Sequence, residues 1–312
     1  MKASIFCLPS VGSRAEIEAG MAATRPELYQ RMLKELTELV KLADDLGYDS
    51  VSFTEHHFHI EGFEVSNNPV LLDLYFAMQT KRIRVGQLGI VLPAANPIRV
   101  AEDIAMLDHM TGGRACAGFA RGYQRRWVDV MAQQTHGVSG TLPHHHDAID
   151  QTNREAFEEN WQIIKKCWTE EMLTFQGKYW KVPAGATPWD LETTVKYGKG
   201  VENGMLTSVG VVPKPLQKPY PPVFLPFASS PNSIVGLRVR ASPRSCRRCM
   251  KPTSHRCSIF MPRCRESPAD RARVCCAMSS SRTRTRRPWR CGRTPGVSPA
   301  GHGSSRSASA AA

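Results

Sequence analysis

Three groups of residues in this 312-residue chain place reactive side chains close together. Glu55-His56-His57-Phe58 sets two imidazoles beside a carboxylate, and imidazole is the side chain that moves protons near neutral pH. Arg121 lies in Phe119-Ala120-Arg121-Gly122-Tyr123, and Ser230 and Ser233 lie in Ala228-Ser229-Ser230-Pro231-Asn232-Ser233. A guanidinium, two hydroxyls and the free N–H groups of a helix start would together cradle a phosphate. Two other clusters have the composition of metal ligands: His144-His145-His146-Asp147, and Cys246-x2-Cys249 with Cys257 and Cys264. The histidines are adjacent rather than four apart, and the cysteines form one close pair only, so no metal is expected at either. Plainer readings stand beside these. A His-His pair is also an ordinary hydrogen-bonded core feature, Arg121 can be an ion-pair partner, and serines are favoured helix caps.

The elements that must carry these residues follow from hydrophobic spacing. Ala3–Leu8, Asp49–Thr54, Ile83–Leu92, Arg114–Gly118 and Pro222–Pro226 read as buried strands. Helices are expected from Pro26 to Gly47 with Thr24 near the cap, over Pro69–Thr80, from Ile98 to about Met110, and near Thr152–Thr169. Tyr123 to about Asp150 reads as a long polar insertion. Met172–Phe175 and Tyr179–Val182 flank Gln176-Gly177-Lys178 as a hairpin. Strands alternating with helices imply a parallel sheet with helical crossovers, an α/β fold of the (β/α)8 TIM-barrel type. A doubly wound sheet is the alternative, but no Gly-x-Gly-x-x-Gly follows the first strand. In a barrel the chemistry sits at the C-terminal ends of the strands. That is where Glu55–Phe58, Leu92–Pro97, Phe119–Tyr123 and Ala228–Ser233 fall.

The net charge of +13 is unevenly spread. Residues 237–312 hold 17 Arg, one Lys and two acids (Glu266 and Asp270), whereas residues 1–236 are mildly acidic. Seven of the ten cysteines follow residue 245. The division expected is therefore 1–236 as the folded barrel portion and 237–312 as a disordered Arg/Ser/Cys-rich tail, which has too little apolar surface to offset its ordering entropy. The tail admits three readings: a basic nucleic-acid arm, a zinc site, or GC-rich coding sequence read out of frame, which yields this mixture of Arg, Ser, Pro, Ala, Cys and Gly. No apolar run approaches the length of a membrane span, and the N-terminal run is too short for a secretory signal, so a cytoplasmic location is expected.

Four segments in order, Thr54-Glu55-His56-His57-Phe58, Val85 through Pro93, Pro97 through Asp103, and Leu107-Asp108 through Gly113-Arg114, resemble the bacterial luciferase-like flavin-dependent monooxygenases. The resemblance covers roughly residues 1–235 and stops abruptly. It implies a (β/α)8 barrel that binds reduced FMN, or in some relatives a deazaflavin, and lets the flavin react with O2. Carried over by position, His56 matches the active-site histidine, with His57 beside it in an orienting or structural role. Arg121, Ser230 and Ser233 match contacts to the flavin phosphate. Leu88-Gly89 matches a strand-3 bulge beneath the flavin ring, often a cis non-prolyl peptide. Ala120 stands where the luciferase subunit has a reactive cysteine, so neither that thiol chemistry nor an aldehyde substrate is carried over.

Taken together, the expected function is oxidation of a small organic substrate with O2 and reduced FMN supplied by a flavin reductase. The chain is expected to be a homodimer without membrane or nucleic-acid partners. Only five barrel strands are recognisable, so strands 6–8 are expected to be missing, strands 1 and 5 to be open edges, and turnover to be impaired. The competing class is a non-catalytic protein whose Arg-rich tail binds nucleic acid.

Overall fold

The computed structural model describes residues 3–134, 137–142 and 147–226, together with one strand at 272–275. The chain divides into two units, 1–277 and 278–312, and the second lies outside the described residues.

The first unit is built on an open parallel sheet. Its strands are β1 (Ser4–Cys7), β2 (Ser50–Phe53), β3 (Arg84–Gln87), β4 (Ile90–Val91), β5 (Ala115–Ala120), β10 (Val223–Pro226) and β11 (Ala272–Cys275). The order is β1-β2-β3-β5-β10-β11, with β4 paired to β5, and every pairing is parallel. Between the strands run α1 (Arg14–Glu18), α2 (Pro26–Asp45), α3 (Pro69–Ala77), α4 (Pro97–Met110) and α6 (Ala148–Thr169). This is the strand–helix alternation of a half barrel, and it bears out the α/β, TIM-barrel-type expectation. Two antiparallel hairpins, β6 (Phe175–Gln176) with β7 (Lys181–Val182) and β8 (Val201–Glu202) with β9 (Met205–Leu206), lie between α6 and β10. None of the helices among the described residues is long and apolar enough to cross a membrane.

The alternation of side chains along each strand sorts the core into two layers. On the helix side, Cys7, Val51, Phe53 and Val85 pack with Val40 and Ala43 of α2 and with Leu72 and Phe76 of α3. A second cluster joins Ile90, Ala117 and Phe119 to Ile104 of α4 and Ile163 and Trp168 of α6. On the opposite face Leu88, Cys116 and Phe224 meet, with Phe6 alongside. That inner face is narrow: a methyl group added at Gly86 would lie 2.3 Å from the Cys116 carbonyl oxygen, and one at Gly118 would lie 2.0 Å from that of Gln87.

Several local expectations need correction. Arg25, not Thr24, caps α2; the Thr24 hydroxyl bonds instead to the Met21 carbonyl. The third strand is two strands, β3 and β4, separated by Leu88 and Gly89, whose peptide bond is cis; β3 pairs with both β2 and β5, whereas β4 pairs with β5. The stretch after Tyr123 is not simply a polar insertion. It holds α5 (Arg125–Met131), whose Trp127 and Val128 are buried against Val91 and Ala156. Nor is β10 an open edge, since β11 pairs with it from Val223↔Ala272 to Pro226↔Cys275. The unpaired N–H and C=O groups of an edge strand accept any short extended segment, and the sheet ends at β1 and β11 among the described residues.

Candidate active site

The C-terminal ends of β2, β4 and β5 converge on one cluster. β2 alternates Val51 and Phe53 toward the helices with Ser50 and Ser52 on the other face. Just beyond the strand come Thr54 and His56, both buried. Glu55 ties this end to the next strand: its Oε2 accepts the Val91 N–H at 2.6 Å, and its Oε1 lies 3.2 Å from His57 Nε2. His57 also packs 4.9 Å from the Trp127 ring. Its position is thus set by a carboxylate and an indole.

His56 opens an eleven-residue loop that closes on itself, because its N–H donates to the Ser66 carbonyl at 2.8 Å. Within the loop Phe58 and Glu64 adopt left-handed φ angles of 64° and 48°, a conformation uncommon for side-chain-bearing residues and often found where a site demands it. The His56 side chain is 10% exposed and its Nε2 lies 3.4 Å from Glu64 Oε2. Burial pulls its pKa down to about 4; Glu64 partly offsets this, and neighbouring His59 and His57 add to it. His56 is therefore a neutral imidazole at pH 7. Its Nδ1 and the Thr54 hydroxyl are buried without a hydrogen-bond partner.

The loop after β5 locks against this one. Gln124 donates from Nε2 to Glu64 Oε2 at 3.0 Å, and its Oε1 lies 2.6 Å from His59 Nε2. Arg126 pairs with Glu61 at 2.8 Å, and Arg125 bonds Asp129 and Ser139, so both guanidinia are paired on the surface. Gly122, with φ of 78°, allows the turn out of β5; a side chain there would strike Val91 and Val128.

Arg121, three-quarters or more buried, donates from Nη1 to Asp150 Oδ1 at 2.6 Å. Asp150 lies in the first turn of α6, where the Asp147 carboxylate caps the helix by accepting the Asp150 N–H. Arg154 approaches the same carboxylate at 3.5 Å, and Asn153 donates to the Arg121 carbonyl at 3.0 Å. Asp150 therefore faces two guanidinia, Arg121 at 2.6 Å and Arg154 at 3.5 Å. One guanidinium nitrogen makes this pair, and the fork holds five N–H donors in all.

The structure thus brings His56, His57 and Arg121 to neighbouring strand ends, with the cis Leu88-Gly89 peptide on the strand between them. Ser230 and Ser233 lie outside the described residues, as do His144, His145, His146 and the four cysteines from Cys246 to Cys264. Trp168 is buried in the core and Trp161 half-buried against it: Trp168 donates from Nε1 to the Ala101 carbonyl, and both rings pack on Phe119 and Tyr220. Sequence reasoning missed Glu64, Gln124 and Asp150. Each contacts a residue at least 29 positions away or, for Glu64, eight positions along a looped segment, so no local pattern marks them.

Comparison with known proteins follows the same lines. The family model for luciferase-like monooxygenases matches residues 1–195. The alkanal monooxygenase alpha chain of Photorhabdus laumondii is 32% identical over 151 residues, covering 48% of this chain and 37% of that protein. The oxygenase component of a flavin-dependent trigonelline monooxygenase from Acinetobacter baylyi is 28% identical over 211 residues, covering 67% and 46%. The chain thus spans less than half the length of these curated relatives. Among solved structures, a monooxygenase from Streptomyces bottropensis superposes with a TM-score of 0.54 at 23% identity, covering 77% of this chain and 57% of that one. The oxygenating constituent of 3,6-diketocamphane monooxygenase from Pseudomonas putida does so with a TM-score of 0.52 at 22% identity, covering 77% and 55%. At that identity the two structures speak for the fold.

Proposed function

The chain belongs to the luciferase-like monooxygenase family, and from that premise we propose that it is a flavin-dependent oxygenase that uses reduced FMN and O2 on a small organic substrate. The observation that carries this reading is the convergence at the strand ends. A buried neutral imidazole, a largely buried guanidinium that shares the Asp150 carboxylate with Arg154, and the strand break at Leu88-Gly89 lie near the ends of β2, β4 and β5. The Pseudomonas putida structure was determined in complex with FMN, which favours FMN over a deazaflavin.

The described residues fit a flavin. The partnerless Thr54 Oγ1 and His56 Nδ1 are buried polar atoms with spare hydrogen-bonding capacity, as a polar ring edge requires. Arg121, with Ser230 and Ser233, would hold the phosphate through charge-assisted bonds. When bound, reduced flavin supplies the electrons that activate O2. The chain's own part is to orient and exclude. Glu55 holds the β2 end against Val91, Trp127 closes the site behind His57, and His56 offers a neutral lone pair rather than a positive charge. A proton-accepting role for His56 near neutral pH needs its pKa to rise once the site is filled, for which an approaching anionic group is the physical means.

A separate flavin reductase, a homodimeric state and a cytoplasmic location complete the proposal. The description of the trigonelline enzyme as an oxygenase component supports the first. The test is O2 uptake by the purified chain with FMN, NADH and a flavin reductase. Uptake above that of the reductase alone, abolished in Arg121→Ala, supports the reading; no flavin binding at all overturns it.

A further inference from the structure

We propose that Glu64 is a positioning residue for His56: its Oε2, held by Gln124, keeps the imidazole proton on Nε2 and leaves Nδ1 as a bare acceptor. The inference rests on the reading of His56 as the active-site imidazole, but its geometry stands apart from any flavin. Glu64 Oε2 lies 3.4 Å from His56 Nε2. A proton on that nitrogen faces the carboxylate attractively, whereas a lone pair there would face another lone pair. No acceptor reaches Nδ1 among the described residues, so the ring's single proton has one favourable place.

The carboxylate is itself fixed. The Glu64 backbone holds a left-handed φ of 48°, its N–H donates to the Ser10 hydroxyl, and the next N–H, of Val65, donates to the Pro9 carbonyl at 2.7 Å. Gln124 Nε2 donates to the same Oε2 from the loop before α5. That orients the amide, since its oxygen cannot face the carboxylate, and the oxygen must then accept from His59 Nε2 at 2.6 Å. One carboxylate thereby sets the tautomers of two imidazoles whose ring centres are 5.6 Å apart. The charged and titratable groups facing His56 are Glu64, His57 and His59; Glu61 Oε1 and Glu64 Oε2 lie 3.8 and 4.0 Å from His59 Nδ1, beyond hydrogen-bond reach.

The experiment is long-range proton–nitrogen correlation spectroscopy of the full chain labelled with nitrogen-15 histidine, at pH 7 and without flavin. His56→Gln and His59→Gln assign the signals. The wild type is expected to show His56 as the Nε2–H tautomer. In Glu64→Gln the tautomer ratio is expected to shift toward Nδ1–H by about tenfold or more, the scale on which an adjacent carboxylate biases a titrating ring. Gln124→Leu is expected to move it in the same direction. An Nδ1–H tautomer in the wild type, or a ratio unmoved in a folded Glu64→Gln, overturns the proposal. The wild-type spectrum decides even if a variant does not fold. Because no flavin is present, a failure of flavin binding leaves this result intact, and the two readings fail separately.

Discussion

Acid should unfold this protein partly through one ring. His56 has a folded pKa of about 4 against an ordinary value of 6.5, because burial disfavours its charged form. Between those values the unfolded chain takes up a proton that the folded chain refuses, so stability falls as pH drops from 6.5 toward 4. The gap corresponds to about 3 kcal/mol over the whole window, of which about 2 kcal/mol is lost by pH 5. The side chain is only 10% exposed, so solvent screening removes little of this. The perturbation is His56→Gln, which keeps a polar side chain and cannot titrate. The assay is urea unfolding followed by tryptophan fluorescence at pH 7.0, 6.0 and 5.0, with Trp127 6.5 Å from the ring as a local reporter. The wild type should lose about 2 kcal/mol more than the variant between the first and last pH, since every other titrating group is common to both. Parallel pH profiles would mean that His56 titrates as freely in the folded chain as in the unfolded one, and that its burial does not hold it neutral.

Two further outcomes follow from carboxylates away from the site. Asp44 accepts the N–H groups of Lys81, Arg82 and Ile83. Burial alone would raise its pKa, but these three bonds outweigh that and lower it. Asp44→Ala should cost about 3 kcal/mol or more in chemical unfolding by orphaning those donors, and the wild type's advantage should fade as pH falls below about 4. Asp73 is fully buried on α3 and accepts a hydrogen bond from Gln87, and its pKa stands well above the usual carboxylate range because of desolvation. Its folded form holds a proton that the unfolded form releases above about 4, so it costs stability as pH rises. Asp73→Asn should remove that decline and stabilise the chain at neutral pH; a variant less stable than the wild type at pH 8 would contradict the assignment.

Much of the fold was legible because its strands are short apolar runs and its helices begin at Pro26, Pro69 and Pro97, where the fixed φ of proline suits a first turn. What escaped was decided by distant contacts. α5 is seven residues long and buries only Trp127 and Val128, too short an apolar pattern to read as a helix. β11 is four residues long and is defined by the edge it joins rather than by its own pattern. At the site, the Glu55-His56-His57 motif and Arg121 were visible as reactive residue types in sequence. The groups that tune them, Glu64, Gln124 and Asp150, are ordinary surface residue types until the loops close. The neutral state of His56 is likewise a property of burial, which the sequence does not display.

If Arg121 holds the phosphate of a bound flavin, ligands that differ only in that phosphate must bind differently. Equilibrium titration of the full chain with FMN and with riboflavin, under anaerobic reducing conditions, isolates the contact. Reduced FMN is expected to bind tighter than reduced riboflavin by about 1.5–3 kcal/mol, the scale of a charge-assisted bond, and Arg121→Ala is expected to erase the difference. Equal affinity for the two flavins, or a preference for FMN that survives the substitution, would contradict that contact.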